Sequence, residues 1–303
     1  MKILVATEKP FAAVAVDGIR NICEEAGHEL VLLEKYTAQE ELLAAVADVE
    51  AMIIRSDKAT KEVIEAAKKL KVIVRAGAGY DNIDLAACTE KGVVAMNTPG
   101  QNSNAVAELA IGMMIYMARG QFTPGTGTEL CGKTLGIQGF GNIGQLVAKK
   151  AVGLGMKVVV LAPNPGEKHK GWELIADIKD LYAKCDYISI NIPATAETKG
   201  ILNYDLMSRL PKGATVINTA RKELLNEAEL DRILSERKDL KYATDVAPDT
   251  YAELKEKYGL QVYATPKKQG AQTSEANINA GFAAARQIVE YFATGKAEFQ
   301  VNK

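Results

Sequence analysis

The sequence has little histidine and no cysteine cluster, and each shortage excludes a class of site. Only two histidines occur, His28 and His169, and the four cysteines are scattered without a C-x-x-C pair. Structural zinc, iron–sulfur clusters and disulfide frameworks all need grouped ligands or paired cysteines. We therefore expect no metal site and no structural disulfide.

The chain also lacks an excess of charge of either sign and any long hydrophobic run. Lysine and arginine number 37 against 38 acids, so no general nucleic-acid-binding surface is expected. The N-terminus lacks the apolar stretch of a secretory signal. The most apolar segment, 105–117, contains Glu108 and is too short to span a bilayer. We expect a cytoplasmic protein without a membrane or nucleic-acid partner.

Short β-branched runs alternate with amphipathic helical stretches along most of the 303 residues, a length that favours two domains. Thr60 is expected to cap one helix, and Thr37 with Glu40 fits a capping box for another. The alternation predicts βαβ units, parallel sheets and an α/β fold. Strands are expected in two series, near 3–6, 30–33, 52–54, 72–74 and 93–95, and near 134–138, 157–161, 187–192, 215–218, 242–246 and 261–264.

The rhythm changes after the Thr-Pro-Gly sequence at 98–100, where an apolar helix is expected over 101–119. Its middle, AVAELAIGMMIYMA, is apolar on nearly every face. One domain rarely covers such a helix on all sides, so we expect it to lie in the interface of a homodimer.

The sequence GFGNIG at 139–144 lies between a predicted strand and a predicted helix, which is the setting of a dinucleotide-binding turn. Gly139 permits the tight turn, Gly141 lets a pyrophosphate approach the backbone, and Gly144 allows the helix to pack closely on the strand. The helix N-terminus offers free amides to the phosphates. The residues expected to bind the cofactor here are Gly139, Gly141, Asn142, Ile143 and Gly144.

The acid that binds the adenosine ribose in NAD enzymes is missing. The second strand of this series ends at Leu161, and Ala162 stands where an Asp or Glu is typical. No arginine, typical of NADP enzymes, replaces it, although Lys168 and Lys170 follow. We expect NAD as the cofactor, and NADP stays open as the alternative.

Six segments together resemble the D-isomer-specific 2-hydroxyacid dehydrogenase family, and within it the D-3-phosphoglycerate dehydrogenases. They are VRAGAGYDNIDL (74–85), MNTPGQNSNAVAELAIGMM (96–114), GKTLGIQGFGNIGQLVAKKA (132–151), NIPATAETKGILN (191–203), INTAR (217–221) and TDVAP (244–248). The resemblance implies two Rossmann-like, doubly wound parallel-sheet domains. A nucleotide domain (99–283) would be inserted into a discontinuous substrate domain (1–98 plus 284–303).

The resemblance also implies a catalytic Arg, Glu and His, of which only the Arg is present, as Arg221. The family's Glu position holds Thr250. The His position holds Lys267 when the segment is aligned on the upstream Thr-Pro pair, and Lys268 when it is aligned on the downstream Gly-Ala pair. A lysine base suits the loss of Glu, because a neighbouring carboxylate would raise the lysine pKa further above the working pH. This pattern is similar to a short subtype with lysine in place of histidine.

Further site residues follow from the resemblance alone. Arg55 and Ser56 would bind a substrate phosphate, whereas Lys58 fits a phosphate contact and a solvated surface equally well. The other substrate residues would be Arg75, Ala76 and Gly77, the last two through amides that hold the carboxylate, and Asn97. The other cofactor residues would be Pro193, Thr198, Ala220, Asp245 and Gly270.

Three functions remain open at this level. The first is NAD-dependent oxidation of a small phosphorylated 2-hydroxy acid, 3-phosphoglycerate, as a step of serine biosynthesis. The second is a glyoxylate or hydroxypyruvate reductase on the same scaffold. The third is an inactive NAD-sensing protein that keeps the glycine turn but not catalysis. Retention of Arg221 favours an active enzyme.

Overall fold

The computed structural model describes residues 1–302 and divides the chain into two compact units. The first unit comprises Met1–Asn102 and the C-terminal segment from Gln272, and the second comprises Ser103–Ala271. In the chain, the second unit is therefore inserted into the first.

All the strands that form ladders lie in two parallel sheets, and helices connect them. The strands are β1 (Lys2–Thr7), β2 (Glu29–Glu34), β3 (Ala51–Ile54), β4 (Val72–Arg75), β5 (Val94–Asn97), β6 (Thr134–Gln138), β7 (Lys157–Leu161), β8 (Glu173–Ile175), β9 (Tyr187–Ile190), β10 (Thr215–Asn218), β11 (Lys241–Thr244) and β12 (Val262–Ala264). The α-helices are α1 (Ala13–Glu25), α2 (Gln39–Ala45), α3 (Lys61–Ala66), α4 (Leu85–Glu90), α5 (Ser103–Ala118), α6 (Asn142–Gly153), α7 (Ile178–Lys184), α8 (Tyr204–Ser208), α9 (Glu227–Glu236), α10 (Tyr251–Tyr258) and α11 (Ser274–Thr294).

The first unit has a five-stranded sheet in the order β2-β1-β3-β4-β5. One face of the sheet packs on α2, α3 and α4, and the other packs on α1 and α11. Strands covered on both faces need apolar side chains in both directions, which explains the continuous runs such as AMII in β3. The order reverses direction between β1 and β3, where doubly wound sheets bind ligands.

The second unit has a seven-stranded sheet in the order β12-β11-β10-β9-β6-β7-β8. Helices α5 and α6 cover one face, and α7 to α10 cover the other. The six strands β8-β7-β6-β9-β10-β11 follow the Rossmann arrangement, whose order reverses between β6 and β9, and β12 extends the sheet beyond β11. The predicted α/β class with two doubly wound sheets is confirmed.

The second boundary between the units lies between Ala271 and Gln272, whereas the sequence predicted it between residues 283 and 284. Helix α11 is continuous across that point and packs on α1 of the first unit. A side chain at Gly18 would collide with the Phe282 ring, and one at Gly281 would approach Ile19, so the two helices meet closely at glycines. The whole helix therefore belongs to the first unit.

Of the two helix caps predicted from the sequence, the one at Thr60 is confirmed. The Thr60 hydroxyl accepts from the Val63 amide, as expected for an N-cap. At α2 the predicted Thr37–Glu40 box is wrong by one residue. The Glu41 carboxylate instead accepts the amides of Thr37 and Ala38, because α2 begins at Gln39.

Helix α5 is covered mainly by its own unit. Most of its apolar side chains are buried against α6, β6 and β10 in one cluster. One narrow stripe is exposed: Asn104, Glu108, Gly112, Ile115 and Arg119. The argument that a partner subunit is needed to cover this helix is therefore wrong for most of its surface. Within residues 1–302, no helix has both the length and the apolar character needed to cross a membrane.

Candidate active site

The glycine turn after β6 is shaped by main-chain packing. Gly139 has a φ of +96°, and a Cβ there would lie 2.7 Å from the Asn191 carbonyl. A Cβ at Gly144 would overlap the carbonyl oxygen of Gly139, because α6 starts directly against the turn. These two glycines are therefore required by the fold of the second unit, whether or not a ligand is bound.

Gly141 differs from both neighbours, because a Cβ there would meet no atom within 4 Å. It is the N-cap of α6 and supplies no side chain to cap the helix. The first amides of a helix have no partner inside it, and those of Asn142 and Ile143 lie next to this open space. The turn thus has room and donors for an anion such as a pyrophosphate.

Three buried oxygen atoms without a hydrogen-bond partner lie at the carboxyl ends of neighbouring strands. They are Asn191 Oδ1 after β9, Thr219 Oγ1 after β10 and Asp245 Oδ1 after β11. Each belongs to the first residue beyond its strand, on the same edge of the sheet as the glycine turn. Unpaired buried acceptors need a donor. Ribose hydroxyls and a carboxamide are such donors, so these residues fit a nicotinamide cofactor.

Among these three residues, Asp245 most needs a further hydrogen-bond donor, because its unpaired oxygen belongs to a buried carboxylate. It is 1% exposed, and its Oδ2 accepts a 2.8 Å hydrogen bond from the Gly270 amide. A Cβ at residue 270 would lie 2.7 Å from Oδ2, so Gly270 is the residue that allows this approach. Burial raises the pKa of Asp245, while the Gly270 amide, Lys268 and Arg221 oppose that shift.

Arg221 follows β10, at the carboxyl edge of the sheet, and its side chain is exposed. Its Nη1 donates to the Ala220 carbonyl at 2.8 Å. Buried Asn218 holds this segment: its Oδ1 accepts from the Ala220 amide, and its Nδ2 donates to the Arg221 carbonyl. Asn218 was missed in the sequence, although its position as the last residue of a buried strand was visible.

The segment from Thr265 to Gly270 brings both lysines to the edge of the same pocket. This pocket has a volume of about 230 Å³ and is lined by Arg221, Asp245, Lys267 and Lys268 among others. Both lysines are exposed. Lys268 and Arg221 act electrostatically on Asp245, whereas Lys267 is not among the charges that shift the pKa of Asp245. The positive charge of Lys268 thus favours the ionised form of the buried carboxylate.

The position of the family's catalytic Glu is occupied by a locked turn. The Thr250 hydroxyl donates to Glu227 at 2.6 Å, and the amides of Thr250 and Asp249 donate to the same carboxylate. Burial would raise the pKa of Glu227, but these hydrogen bonds more than offset it and lower the pKa. Asp249 pairs with Lys222 at 2.7 Å. Glu227 was missed in the sequence, because its partners are 22 and 23 residues away.

Pro193 and Thr198 are joined in the loop after β9. The Thr198 hydroxyl donates to the Pro193 carbonyl at 2.7 Å and accepts from the Thr195 amide. This loop adjoins the glycine turn through the Asn191 amide, which donates to Gln138. The expected cofactor residues of the second unit thus share one edge of its sheet.

In the first unit, the Arg55 guanidinium is anchored by its own surroundings. Nη1 donates to the carbonyls of Lys9 and Pro10, and Nη2 donates to Asn277 Oδ1 at 2.7 Å. The guanidinium also lies 4.9 Å from the Phe11 ring centre. Burial lowers the Arg55 pKa, and Asp57 opposes this. An arginine has five N–H groups, so two remain for a ligand.

The loop that carries Arg55 and Ser56 is fixed by Asp57 and Asn82, two residues that the sequence did not reveal. Buried Asp57 accepts from Tyr36 Oη at 2.9 Å and from the amides of Glu8 and Arg55. Asn82 Nδ2 donates to the carbonyls at both ends of the loop. Ser56 and Lys58 are exposed.

The turn after β4 corrects one expectation. The amides of Ala76 and Gly77 are not available to a carboxylate, because they donate to the carbonyls of Ile54 and Arg75 at 2.8 Å. Gly77 has a φ of +152°, and a Cβ there would overlap the Arg75 guanidinium. Arg75 Nε donates to the Arg55 carbonyl. Asn97 Nδ2 donates to the Ala78 carbonyl at 2.6 Å and so holds the turn.

No group of three or more metal-ligating side chains is close enough to hold an ion within residues 1–302. The four cysteines are free, and only Cys131 is exposed. Neither His28 nor His169 lies at the pocket that contains the two lysines.

Comparison with known proteins assigns the chain to a family. Residues 10–302 match the model of the D-isomer specific 2-hydroxyacid dehydrogenase catalytic domain. The chain therefore belongs to the D-isomer specific 2-hydroxyacid dehydrogenases.

Two curated relatives and one solved structure are similar to the chain over most of its length. D-3-phosphoglycerate dehydrogenase of Methanocaldococcus jannaschii is 38% identical over 299 residues, covering 93% of this chain and 56% of that protein. Hydroxypyruvate reductase of Thermotoga maritima is 36% identical over 278 residues, covering 86% of this chain and 90% of that protein. The chain thus spans little more than half the length of the first relative.

The solved structure is a cofactor (NAD+)-bound 3-phosphoglycerate dehydrogenase of Entamoeba histolytica. It is 50% identical to this chain, with a TM-score of 0.87, and the match covers all of this chain and 99% of the chain in that structure.

Proposed function

We propose that this chain oxidises D-3-phosphoglycerate at C2 to 3-phosphohydroxypyruvate, with NAD as the cofactor. The observation that supports this most is the pocket beyond β10 to β12. There Arg221 and Lys268 act on the buried Asp245, whose Oδ1 has no protein partner. The choice of substrate rests on the relatives that are named D-3-phosphoglycerate dehydrogenase.

The chain's residues divide the work on the cofactor. When bound, the nicotinamide accepts the hydride released from C2. Gly141, Asn142 and Ile143 would hold the pyrophosphate with backbone amides at the open start of α6. Asp245 and Thr219 would accept hydrogen bonds at the nicotinamide end, which gives their unpaired oxygens a partner.

Arg221 and Lys268 would act on the reacting carbon. The Arg221 fork would bind the carboxylate and polarise the C2 oxygen, a bidentate contact that a lysine does not reproduce. Lys268 would remove the hydroxyl proton during oxidation and return it during reduction. Lys267 is the alternative. Lys268 is preferred because Lys268 and the following Gly270-Ala271 keep the spacing of the family's segment, and because the charge of Lys268 acts on Asp245.

On the substrate side, Arg55 and Ser56 are assigned to the phosphate. Arg55 retains two N–H groups after its protein contacts, and the Ser56 side chain is exposed. Because the amides of Ala76 and Gly77 are already paired, we assign binding of the substrate carboxylate to the next two amides, those of Ala78 and Gly79. Neither makes a backbone hydrogen bond within residues 1–302.

Hydroxypyruvate reductase is the second candidate function, because a relative of that name is matched over 90% of its length. The same Arg221 and Lys268 would serve both reactions. The substrates differ by a phosphate group, so the two functions separate at Arg55.

The test is an assay of the purified chain with NAD and D-3-phosphoglycerate, coupled to removal of the product. Reduction of 3-phosphohydroxypyruvate and of hydroxypyruvate by NADH is compared in the reverse direction. Turnover of the phosphorylated pair at the lower KM supports the proposal. Preference for hydroxypyruvate supports the second function, and no turnover of either refutes both.

We further propose a homodimer formed on the exposed stripe of α5. Ile115 on this stripe and Leu154 after α6 line one groove of about 240 Å³, and they are 37% and 39% exposed. Light scattering at micromolar concentration should give twice the chain mass of 32.6 kDa. The mass of a single chain would refute it.

A further inference from the structure

The carboxyl end of β7 offers no carboxylate to a ribose. Ala162 is the first residue after β7, is 5% exposed, and donates its amide to the Ile175 carbonyl at 2.8 Å. In dinucleotide-binding sheets an acid at this position accepts from the 2′-hydroxyl of the adenosine. The same negative charge repels a 2′-phosphate. Neither effect operates here, since no acid occurs over 162–166.

The loop that follows is attached to the dinucleotide turn. The His169 ring stacks on the Phe140 ring inside the GFGNIG turn, with centroids 5.4 Å apart and planes at 25°. Trp172 packs edge-on against the same Phe140 ring. His169 Nδ1 accepts from the Gly166 amide at 2.9 Å, which closes the loop on itself. The loop therefore lies beside the turn that would bind the pyrophosphate.

The loop presents one cation without a partner. Its single acid, Glu167, pairs with Lys170 at 2.7 Å. Lys168 is exposed and makes no ion pair with any residue among 1–302. His169, between the two lysines, is buried against Phe140. The exposed side of the loop is thus positive at the place where NAD-binding sheets of this type typically have an acid.

We propose that this chain binds NADP as well as NAD, and that Lys168 is the residue that faces the 2′-phosphate. The inference rests on the proposed function, because it assumes that the glycine turn binds a nicotinamide dinucleotide. An exposed ammonium is a point charge on a flexible stem, so it tolerates either ribose. Absence of repulsion admits the phosphate, and Lys168 adds attraction.

The test is calorimetric binding of NAD⁺ and NADP⁺ to the full chain without substrate, at two salt concentrations. We expect dissociation constants within about tenfold of each other, with a steeper salt dependence for NADP⁺. Lys168→Glu should weaken NADP⁺ binding by at least about tenfold and leave NAD⁺ binding nearly unchanged, because the introduced carboxylate repels the 2′-phosphate. Ala162→Asp should weaken NADP⁺ further.

Lys212→Glu is the matched control, since Lys212 is exposed in the same unit but precedes β10 at the opposite edge of the sheet. Ala162 is buried, so the exposed Lys168→Glu variant keeps the test valid if Ala162→Asp does not fold. NAD⁺ binding with NADP⁺ more than about tenfold weaker overturns the inference and leaves the proposed function intact. Equal effects of the two lysine variants overturn the role of Lys168. Binding of neither dinucleotide refutes the proposed function itself.

Discussion

The two units bear their site residues in opposite states. In the first unit the cations are already held: Arg55 donates to two carbonyls and to Asn277, and Arg75 donates to the Arg55 carbonyl. In the second unit Arg221 and Lys268 are exposed, and the buried Asp245 keeps an oxygen without a partner. The candidate phosphate-binding arginine of the first unit is thus held by protein contacts, whereas the second unit leaves one buried oxygen of Asp245 unpaired.

This difference indicates how each unit contributes. A preformed cation adds affinity because little side-chain freedom is lost on binding. An unpaired buried acceptor lowers the stability of the free protein, and a ligand that donates a hydrogen bond to it restores that stability. We therefore expect substitutions in the first unit to change KM, and substitutions in the second to change turnover, cofactor binding or stability.

The largest effect is expected from Lys268→Ala in the second unit. Loss of a proton-transfer group should lower kcat by about 10²–10⁴, while NAD still binds. The measurement is kcat at saturating substrate together with calorimetry for NAD. Lys267→Ala is the matched control and should leave kcat near the parent value. If both alanine variants raise only KM, the lysines merely attract the anion, and the assignment is wrong.

Arg55→Ala in the first unit should act on affinity. Truncating a charged contact typically costs about 2–5 kcal/mol, so KM for 3-phosphoglycerate should rise strongly. A small 2-keto acid without phosphate serves as the control substrate and should be affected little. Equal losses on both substrates would mean that Arg55 acts only through its bonds to Lys9, Pro10 and Asn277.

The glycines of the dinucleotide turn should separate folding from binding. Gly144→Ala forces a methyl group into the Gly139 carbonyl and should cost about 1–3 kcal/mol of unfolding free energy. Gly141→Val meets only open space in the protein, so stability should hold while NAD binding is lost. Urea unfolding and calorimetry measure the two quantities. Parental NAD affinity in Gly141→Val would place the pyrophosphate elsewhere.

The smallest effect is expected from Asp245→Asn, and it should be a gain of stability. Burial raises the pKa of Asp245 above 3.8, so the folded state binds this proton more tightly and ionisation destabilises it at higher pH. The asparagine variant should be about 1 kcal/mol more stable at neutral pH, with the gain shrinking as the pH falls towards 4. Urea midpoints at several pH values test this. NAD binding should weaken, and a variant that loses stability at neutral pH contradicts the prediction.

Local patterns in the sequence were sufficient to predict most of the strands and the fold class. The apolar runs located eleven of the strands, because each is covered on both faces and needs side chains such as those of AMII in β3. Strand β8 was missed, since its three residues, Glu173–Ile175, lie at the sheet edge and only Ile175 is buried. The boundary at 283 was wrong because the apolar stripe of α11 does not indicate which sheet it packs on.

For the site, the sequence indicated the residues that we propose for ligand contacts, and it did not indicate the buried residues that hold them in place. The glycine turn and Arg221 follow from spacing and from resemblance. Asp57, Asn218 and Glu227 act through partners up to 49 residues away, and only the fold brings them together. The expectation for the Ala76 and Gly77 amides was wrong because it did not account for the carbonyls of Ile54 and Arg75.

Glu227 restricts which residues can replace Thr250, because its carboxylate accepts three hydrogen bonds from Asp249 and Thr250. Restoring the family's Glu at position 250 by one substitution would set a second carboxylate beside Glu227 and remove the hydroxyl that now donates to it. Like charges at this distance repel, so the single step is unfavourable even if a histidine were already present at 268. A return to the Glu–His pair needs a change at 227 as well. Under the proposed role of Lys268, Glu227 thus hinders replacement of the lysine by a Glu–His pair, although Glu227 takes no part in the proposed chemistry.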